Sequence, residues 1–292
     1  MNYKLKILIF SLLLIFTGLS SFAQTDGADI EIDNSTDGKG WIFGLNVGVY
    51  YPSKKTAAFY SGDSKNINNV NYVMSNYYLK QQILELLNEN AISTTKIEIA
   101  DDGLPQNMHY KLALQPGLYA QYCFNSKLSL IIEFNYMKLK ANDVIVFELD
   151  SLSYATNAKQ LLCPVRGVED RVYADIGLKR TYQKSEKLSY YVMGGLNVNS
   201  TKVKKSSFYV LEEEFDMIDH YNGVPYVPNS GMQTFEVYQG GIGVGMFAGA
   251  GAALNFNGIV IEPGITVHWL MVNLDGYQSM NPGIGANVRF MF

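Results

Sequence analysis

From Trp41 onward the chain alternates between large apolar residues and small or polar ones with a period of two. Phe43, Leu45, Val47, Val49 and Tyr51 fall in one set, and Gly44, Asn46, Gly48 and Tyr50 in the other. The alternation returns seven times, at about 109–124, 127–140, 170–183, 187–201, 236–254, 258–272 and 281–292. A period of two places successive side chains on opposite faces of a β-strand, so each stretch predicts a strand with one apolar face. No apolar set carries a charge in its central stretch. The companion sets hold Lys111, Glu133, Arg171, Asp175, Lys179, Glu262 and Arg289.

Alternation alone does not say which face meets solvent. A soluble barrel or sandwich would turn its apolar face inward, whereas a membrane barrel turns it out to lipid. Two features of the chain favour the membrane reading. Short connections at 125–126, 184–186 and 255–257 alternate with long ones at 53–108, 141–169, 202–235 and 273–280, as in barrels with short periplasmic turns and long external loops. Aromatics stand where strands would cross the interfaces. Trp41, Tyr122, Phe124, Tyr182, Phe256, Phe290 and Phe292 fall on the short-turn side, and Tyr51, Tyr110, Tyr136 and Trp269 on the other. The last strand ends on Phe292, in the outward phase. The pattern predicts an all-β fold: an eight-stranded antiparallel transmembrane β-barrel over 41–292, with long extracellular loops.

The segment before the barrel predicts a location. Residues 1–23 carry Lys4 and Lys6, an apolar stretch from Ile7 to Phe16, and Ser21-Phe22-Ala23 before Gln24. That is the pattern of a secretory signal peptide. Its apolar stretch is far shorter than the ~20 residues a membrane helix needs. Residues 24–40 are polar and acidic and read as a flexible periplasmic lead. The expected location is the outer membrane, with outer-membrane lipid as a partner, because only helices and closed barrels satisfy the backbone in lipid. Composition agrees with a Tyr- and Gly-rich β protein: 21 Tyr, 26 Gly, and only 17% charged residues. A net charge of −4, falling to −6 once Lys4 and Lys6 are removed with the signal, argues against nucleic acid as a partner.

The leader ending FAQ, the opening strand GLNVGVYYP and the terminal GIGANVRFMF resemble the outer-membrane β-barrel-domain family of Bacteroidota, which includes PorT-like proteins. The resemblance covers 41–292 as a pattern. It implies a fold and a location, and for a PorT-like protein an accessory role in outer-membrane protein secretion.

An eight-stranded barrel is just wide enough for side chains to fill it. Four inward cations (Lys111, Arg171, Lys179, Arg289) against three inward acids (Glu133, Asp175, Glu262) therefore read as a buried salt-bridge network, with an ion path as the alternative. The alternating glycines Gly241, Gly243, Gly245, Gly249 and Gly251 lie on a strand with no helix after them. They are not a nucleotide loop, and would make room for inward Tyr, Lys and Arg. His268 falls in the inward phase, which is wrong for a lipid-facing hydrolase. The acidic runs Asp101-Asp102 and Glu212-Glu213-Glu214 read as solvated loops in preference to calcium sites. No catalytic, cofactor or metal site is expected.

In the first long loop, 75–91 has helical spacing, with Leu79, Ile83, Leu86 and Leu87 on one face. This helix is either a lid packed on the loops or a docking face for a protein partner. Cys123, pointing inward near the periplasmic end, and Cys163, in the external loop 141–169, are expected to be unbonded because they lie on opposite sides of the membrane. The function these residues favour is non-enzymatic: a barrel that presents surface loops to a ligand or protein partner. A secretion accessory, and a membrane-embedded hydrolase or narrow pore, are the alternatives.

Overall fold

In a computed structural model, the described residues are 39–150, 159–185, 187–218, 220–221, 224–225, 238–256 and 258–292. The expected signal peptide, and the lead as far as residue 38, lie outside them.

Eight strands close into a barrel. They are β1 (Gly40–Tyr51), β2 (Ala113–Cys123), β3 (Leu128–Leu149), β4 (Lys159–Gln183), β5 (Leu188–Val210), β6 (Gly240–Phe256), β7 (Ile259–Met271) and β8 (Met280–Met291). Each pairs antiparallel with its neighbours in chain order, and β8 returns to pair with β1, for example Val47 with Val288. No barrel strand is left with a bare edge, as a span through lipid requires.

Burial fixes the phase. The side chains of Leu45, Val47, Phe134, Ile176, Leu196, Val198, Ile242, Val267 and Ile284 lie exposed on the outside of the barrel, while Asn46, Glu133, Asn135, Asp175, Asn197, Asn199 and Arg289 are buried within it. On β4 the outward belt runs from Val172 to Tyr182, apolar except for Arg180, whose guanidinium lies over the Tyr182 ring at the short-turn end. Ten residues at ~3.3 Å each, tilted ~40°, give a band about 25 Å tall, the height of the apolar band of a membrane barrel. An exposed apolar belt of that height around a charged interior is the surface of a barrel that faces lipid.

Above the belt the same alternation changes sign. Strands β3, β4 and β5 run for 22, 25 and 23 residues, twice what a span needs. On β3 the inward set passes from Ser129, Glu133 and Asn135 to Met137, Leu139, Ala141, Ile145, Phe147 and Leu149, all buried. The outward set passes from Phe134 and Tyr136 to exposed Lys138, Lys140 and Glu148. In lipid the apolar side chains face out; beyond it they must turn away from water. The expected loops 141–169 and 202–235 are therefore shorter than their polarity suggested, because much of each is strand: β3 to Leu149, β4 from Lys159, β5 to Val210.

The protruding strands carry a cap with its own apolar core. A short helix α1 (Lys54–Ala57) starts at Ser53, whose hydroxyl accepts from the Lys55 amide. It is followed by a tight turn of helix at Ala58–Tyr60, by α2 (Asn71–Ser75) and by α3 (Tyr77–Glu89). Asn76 caps α3 by accepting from the Tyr78 and Leu79 amides. Ile83, Leu84 and Leu87 of α3 bury in one cluster with Ile145, Phe147, Phe208 and Phe215. Leu79 and Leu86 pack against its margin. The helix covers the cap as a lid, and Leu84 joins the expected face.

Candidate functional site: the filled barrel and its cap

The interior is layered by strand register. Nearest the short turns, Lys179 pairs with Glu262 and donates to Gln121 Oε1 at 3.0 Å. Its ammonium lies over the ring of Tyr191, 4.8 Å from the centroid. Beside it Arg289 reaches Glu133 Oε2 through Nε at 2.9 Å and Nη2 at 2.8 Å, and donates to the Tyr191 hydroxyl at 3.1 Å. The other oxygen of Glu133 accepts from Asn46 and Asn135, both at 2.8 Å. In the next layer His268 Nε2 lies 3.0 Å from Asp175 Oδ2, and Asn197 donates to Asp175 Oδ1 at 2.6 Å. Tyr50 and Tyr173 pack edge-on above, with their hydroxyls 3.1 Å apart. A buried charge is tolerable only when paired or hydrogen-bonded; Lys179, Glu262, Arg289 and Glu133 are both, and Asp175 is held between Asn197 and His268.

At the mouth, the cap enters the barrel. Arg171 pairs with Glu169 and donates to Thr56 Oγ1 at 3.3 Å and to the Tyr110 hydroxyl at 3.2 Å. The Tyr60 hydroxyl donates to Glu169 Oε2 at 2.5 Å. Burial and the neighbouring Glu169 carboxylate push the Tyr60 hydroxyl well above its usual range, so it stays protonated and can donate to that carboxylate. Thr56 and Tyr60 thus stand as a stopper on the Arg171–Glu169 pair. The void between Tyr50, Thr56, Arg171 and Val272 is about 10 Å³, the room of one water at most. Gly167 makes the stopper possible: a Cβ there would strike the Tyr60 ring. Gly251 and Gly264 do the same lower down for the Tyr191 ring.

Six of the seven expected interior charges, Glu133, Arg171, Asp175, Lys179, Glu262 and Arg289, are buried in these layers. Lys111 is not among them; it is exposed. The cause is a slip between strands. Gly117 pairs with Asn135 and Cys123 with Ser129, but Tyr110 pairs with Ala141 where unbroken register would bring Asn142. The extra residue turns Tyr110 inward, away from the interface where an aromatic was expected, and Lys111 outward. Glu169 takes the place in the network that sequence reasoning gave to no residue. It shares the phase of Arg171, two residues on, and this spacing was the available signal. The interior then holds, among the described residues, Arg171, Lys179 and Arg289 against Glu133, Glu169, Asp175 and Glu262, with His268 beside Asp175.

Other expected features also have places. His109 is exposed and bonds the Asn107 carbonyl through Nδ1 at 2.8 Å. Glu214 pairs with Lys205 at 2.6 Å and accepts from Ser207 at 2.5 Å, and Asp101 and Asp102 sit on an exposed turn. Cys123 and Cys163 are both free thiols. Cys163 was expected in an external loop; it is buried in β4, inside the cap. Between α3 and the hairpin strand Glu213–Asp216, a cleft of about 230 Å³ opens outward, lined by Tyr72, Leu79, Gln82, Glu214 and Phe215. Beside it Tyr77 and Tyr78 are 70% and 82% exposed.

These features define an outer-membrane-type β-barrel, closed, filled and capped. No protein-family model matches the chain, and no curated protein sequence matches it. Among solved structures it is similar to the attachment invasion locus protein Ail of Yersinia pestis, in complex with the heparin analogue sucrose octasulfate. That match has 10% identity and a TM-score of 0.34, over 86% of this chain and 99% of Ail. It is also similar to the outer membrane protein OprG from Pseudomonas aeruginosa (11% identity, TM-score 0.37, 87% of this chain and 93% of OprG). LpxR from Salmonella typhimurium matches at 8% identity and TM-score 0.23, over 85% of this chain and 100% of LpxR. The barrel assignment rests on the strand pairing and burial described above.

Proposed function

We propose that this protein is a non-enzymatic outer-membrane scaffold, a plugged barrel that holds a folded cap at the cell surface for a ligand or protein partner. One observation carries the reading: the three longest strands continue past the membrane belt into a water-facing cap with its own core, while the barrel below is filled. Binding surfaces sit most often on loops held by a rigid scaffold. The cleft beside α3 and the exposed Tyr77–Tyr78 pair are the part of the cap with the chemistry of a binding surface, since exposed tyrosines are frequent anchors at interfaces. The interior supports no reaction centre in this reading, because His268 and every buried carboxylate are engaged within the packed interior, Glu169 by Arg171 on its own strand and the others across the barrel.

The test is co-purification of the tagged protein from native membranes, wild type against Tyr77→Ser/Tyr78→Ser, with conductance across a planar bilayer as a second readout. A partner recovered with wild type and lost with the variant is the expected result. If that partner belongs to a secretion assembly, the accessory role implied by the PorT-like resemblance is the form the scaffold takes. Steady conductance steps from the wild-type protein would overturn the plugged reading.

A further inference from the structure

The outward residues in the first two rows above the lipid belt are unevenly charged. Lys138, Asp170 and Lys202 form one cross-strand row on β3, β4 and β5. Lys140, Val168 and Lys205 form the next. Lys204 is the extra residue at the register shift between them. The slip that turns Lys111 outward brings it beside Lys140, whose carbonyl accepts from the Lys111 amide at 2.8 Å. The acids within this collar are spoken for. Asp170 accepts from the Tyr136 hydroxyl at 3.0 Å and has Lys204 at 3.5 Å, and Glu214 holds Lys205. Lys111, Lys138 and Lys140 are exposed, adjacent and without an acidic partner among the described residues. Toward the outer ends of β1, β6, β7 and β8, Tyr51, Ile242, Trp269 and Pro282 face out and carry no charge.

Adjacent like charges on one sheet face repel, so such a cluster is unfavourable unless an anion lies against it. Its height names the anion. The cluster stands one to two rows above Tyr136 and Val172, at the level of lipid headgroups, and below it the exposed Leu112, Leu114 and Phe134 offer an apolar wall. We infer that Lys111, Lys138 and Lys140 form a binding site for the phosphate of an outer-leaflet lipid headgroup, whose acyl chains lie along Leu112, Leu114 and Phe134. The occupant is a phosphorylated membrane lipid, held by charge at one end and by the belt at the other. The site lies on the barrel wall and does not depend on what the cap binds.

The probe is bisphosphorylated lipid A, titrated into the folded mature protein in neutral detergent and read by native mass spectrometry. Wild type should retain lipid A in a salt-sensitive manner. Each lysine exchanged for Gln should lower the affinity roughly 5-fold, so K111Q/K138Q/K140Q should lower it roughly 100-fold. K127Q/K184Q, on the turns at the opposite rim, should bind as wild type does. K138Q alone, with its roughly 5-fold loss, serves should the triple variant fold poorly, which faster migration of the unboiled protein would reveal. Equal retention by wild type and the triple variant would overturn the site. So would equal retention of dephosphorylated lipid A. If soluble polyphosphate binds as tightly as lipid A, and with the same loss in the triple variant, the site takes a free anion and the lipid assignment falls.

Discussion

The change of sign along β4 makes a prediction that distinguishes lipid from water within one strand. Ile176 and Leu162 share the outward phase and are 51% and 66% exposed. Ile176 lies beside Ile132 and Leu196 on the flanking strands, near the middle of the belt from Val172 to Tyr182. Leu162 lies above Arg166 and Asp170, in the part of the strand whose inward neighbours Cys163 and Val165 are buried. Fourteen residues separate the two, about 46 Å of strand and roughly 35 Å of height at a ~40° tilt. Ile176→Arg should then cost about 2–4 kcal/mol, the cost of an arginine at the midplane of a barrel's lipid face. Leu162→Arg should stay within about 0.5 kcal/mol of wild type, as exposed surface substitutions do. Urea titration in lipid vesicles checks this, with the folded fraction read from the faster migration of unboiled protein. If the two variants are equally stable, the belt is not where the burial pattern puts it. If Leu162→Arg is the costlier, the membrane lies around the cap and the topology is inverted.

Two further expectations follow from the cap. Burial pushes the Cys163 thiol up to about 12, so a membrane-impermeant maleimide should leave it unlabelled on intact cells and modify it only after unfolding, with mass spectrometry as the readout; labelling of the native protein would show the cap open at β4. Asp150 accepts from the Thr94 and Thr95 hydroxyls at 2.6 and 2.5 Å and from the Lys96 amide at 2.7 Å, and these bonds hold its carboxyl well below the usual carboxylate range. With the folded value depressed, the stabilisation is present above the unfolded pKa, near 3.9, and is lost as the pH falls through the folded one. Hydrogen exchange at Thr95 and Lys96, whose amides donate to Asp150, should therefore show protection kept down to about pH 4, and Asp150→Asn should lose it already at neutral pH; equal protection in the variant would refute the anchoring role.

Much of the barrel was legible in the chain because membrane strands leave a strong mark. Eight charge-free apolar sets, spaced by alternating short and long connections, already implied an eight-stranded ring and which face meets lipid. The inward phase of Glu133, Asp175, Lys179, Glu262 and Arg289 followed from the period of two alone, and the α3 face from spacings of three and four. Their pairing did not. That Lys179 meets Glu262 and Arg289 meets Glu133 depends on strands far apart in sequence that the closed ring brings together. Strand ends were also hidden, because periodicity records which side chains share a face but not which solvent that face meets. Where β3–β5 leave the bilayer the polarity reverses while the period continues, and a search for lipid-facing residues stops there. Glu169 and Cys163 were left in a loop for that reason. The slip at Lys111 had no mark at all, since a one-residue bulge is a backbone event. The pairing of Tyr110 with Ala141 on the neighbouring strand decides it, and with it which of Tyr110 and Lys111 faces the barrel interior and which faces outward.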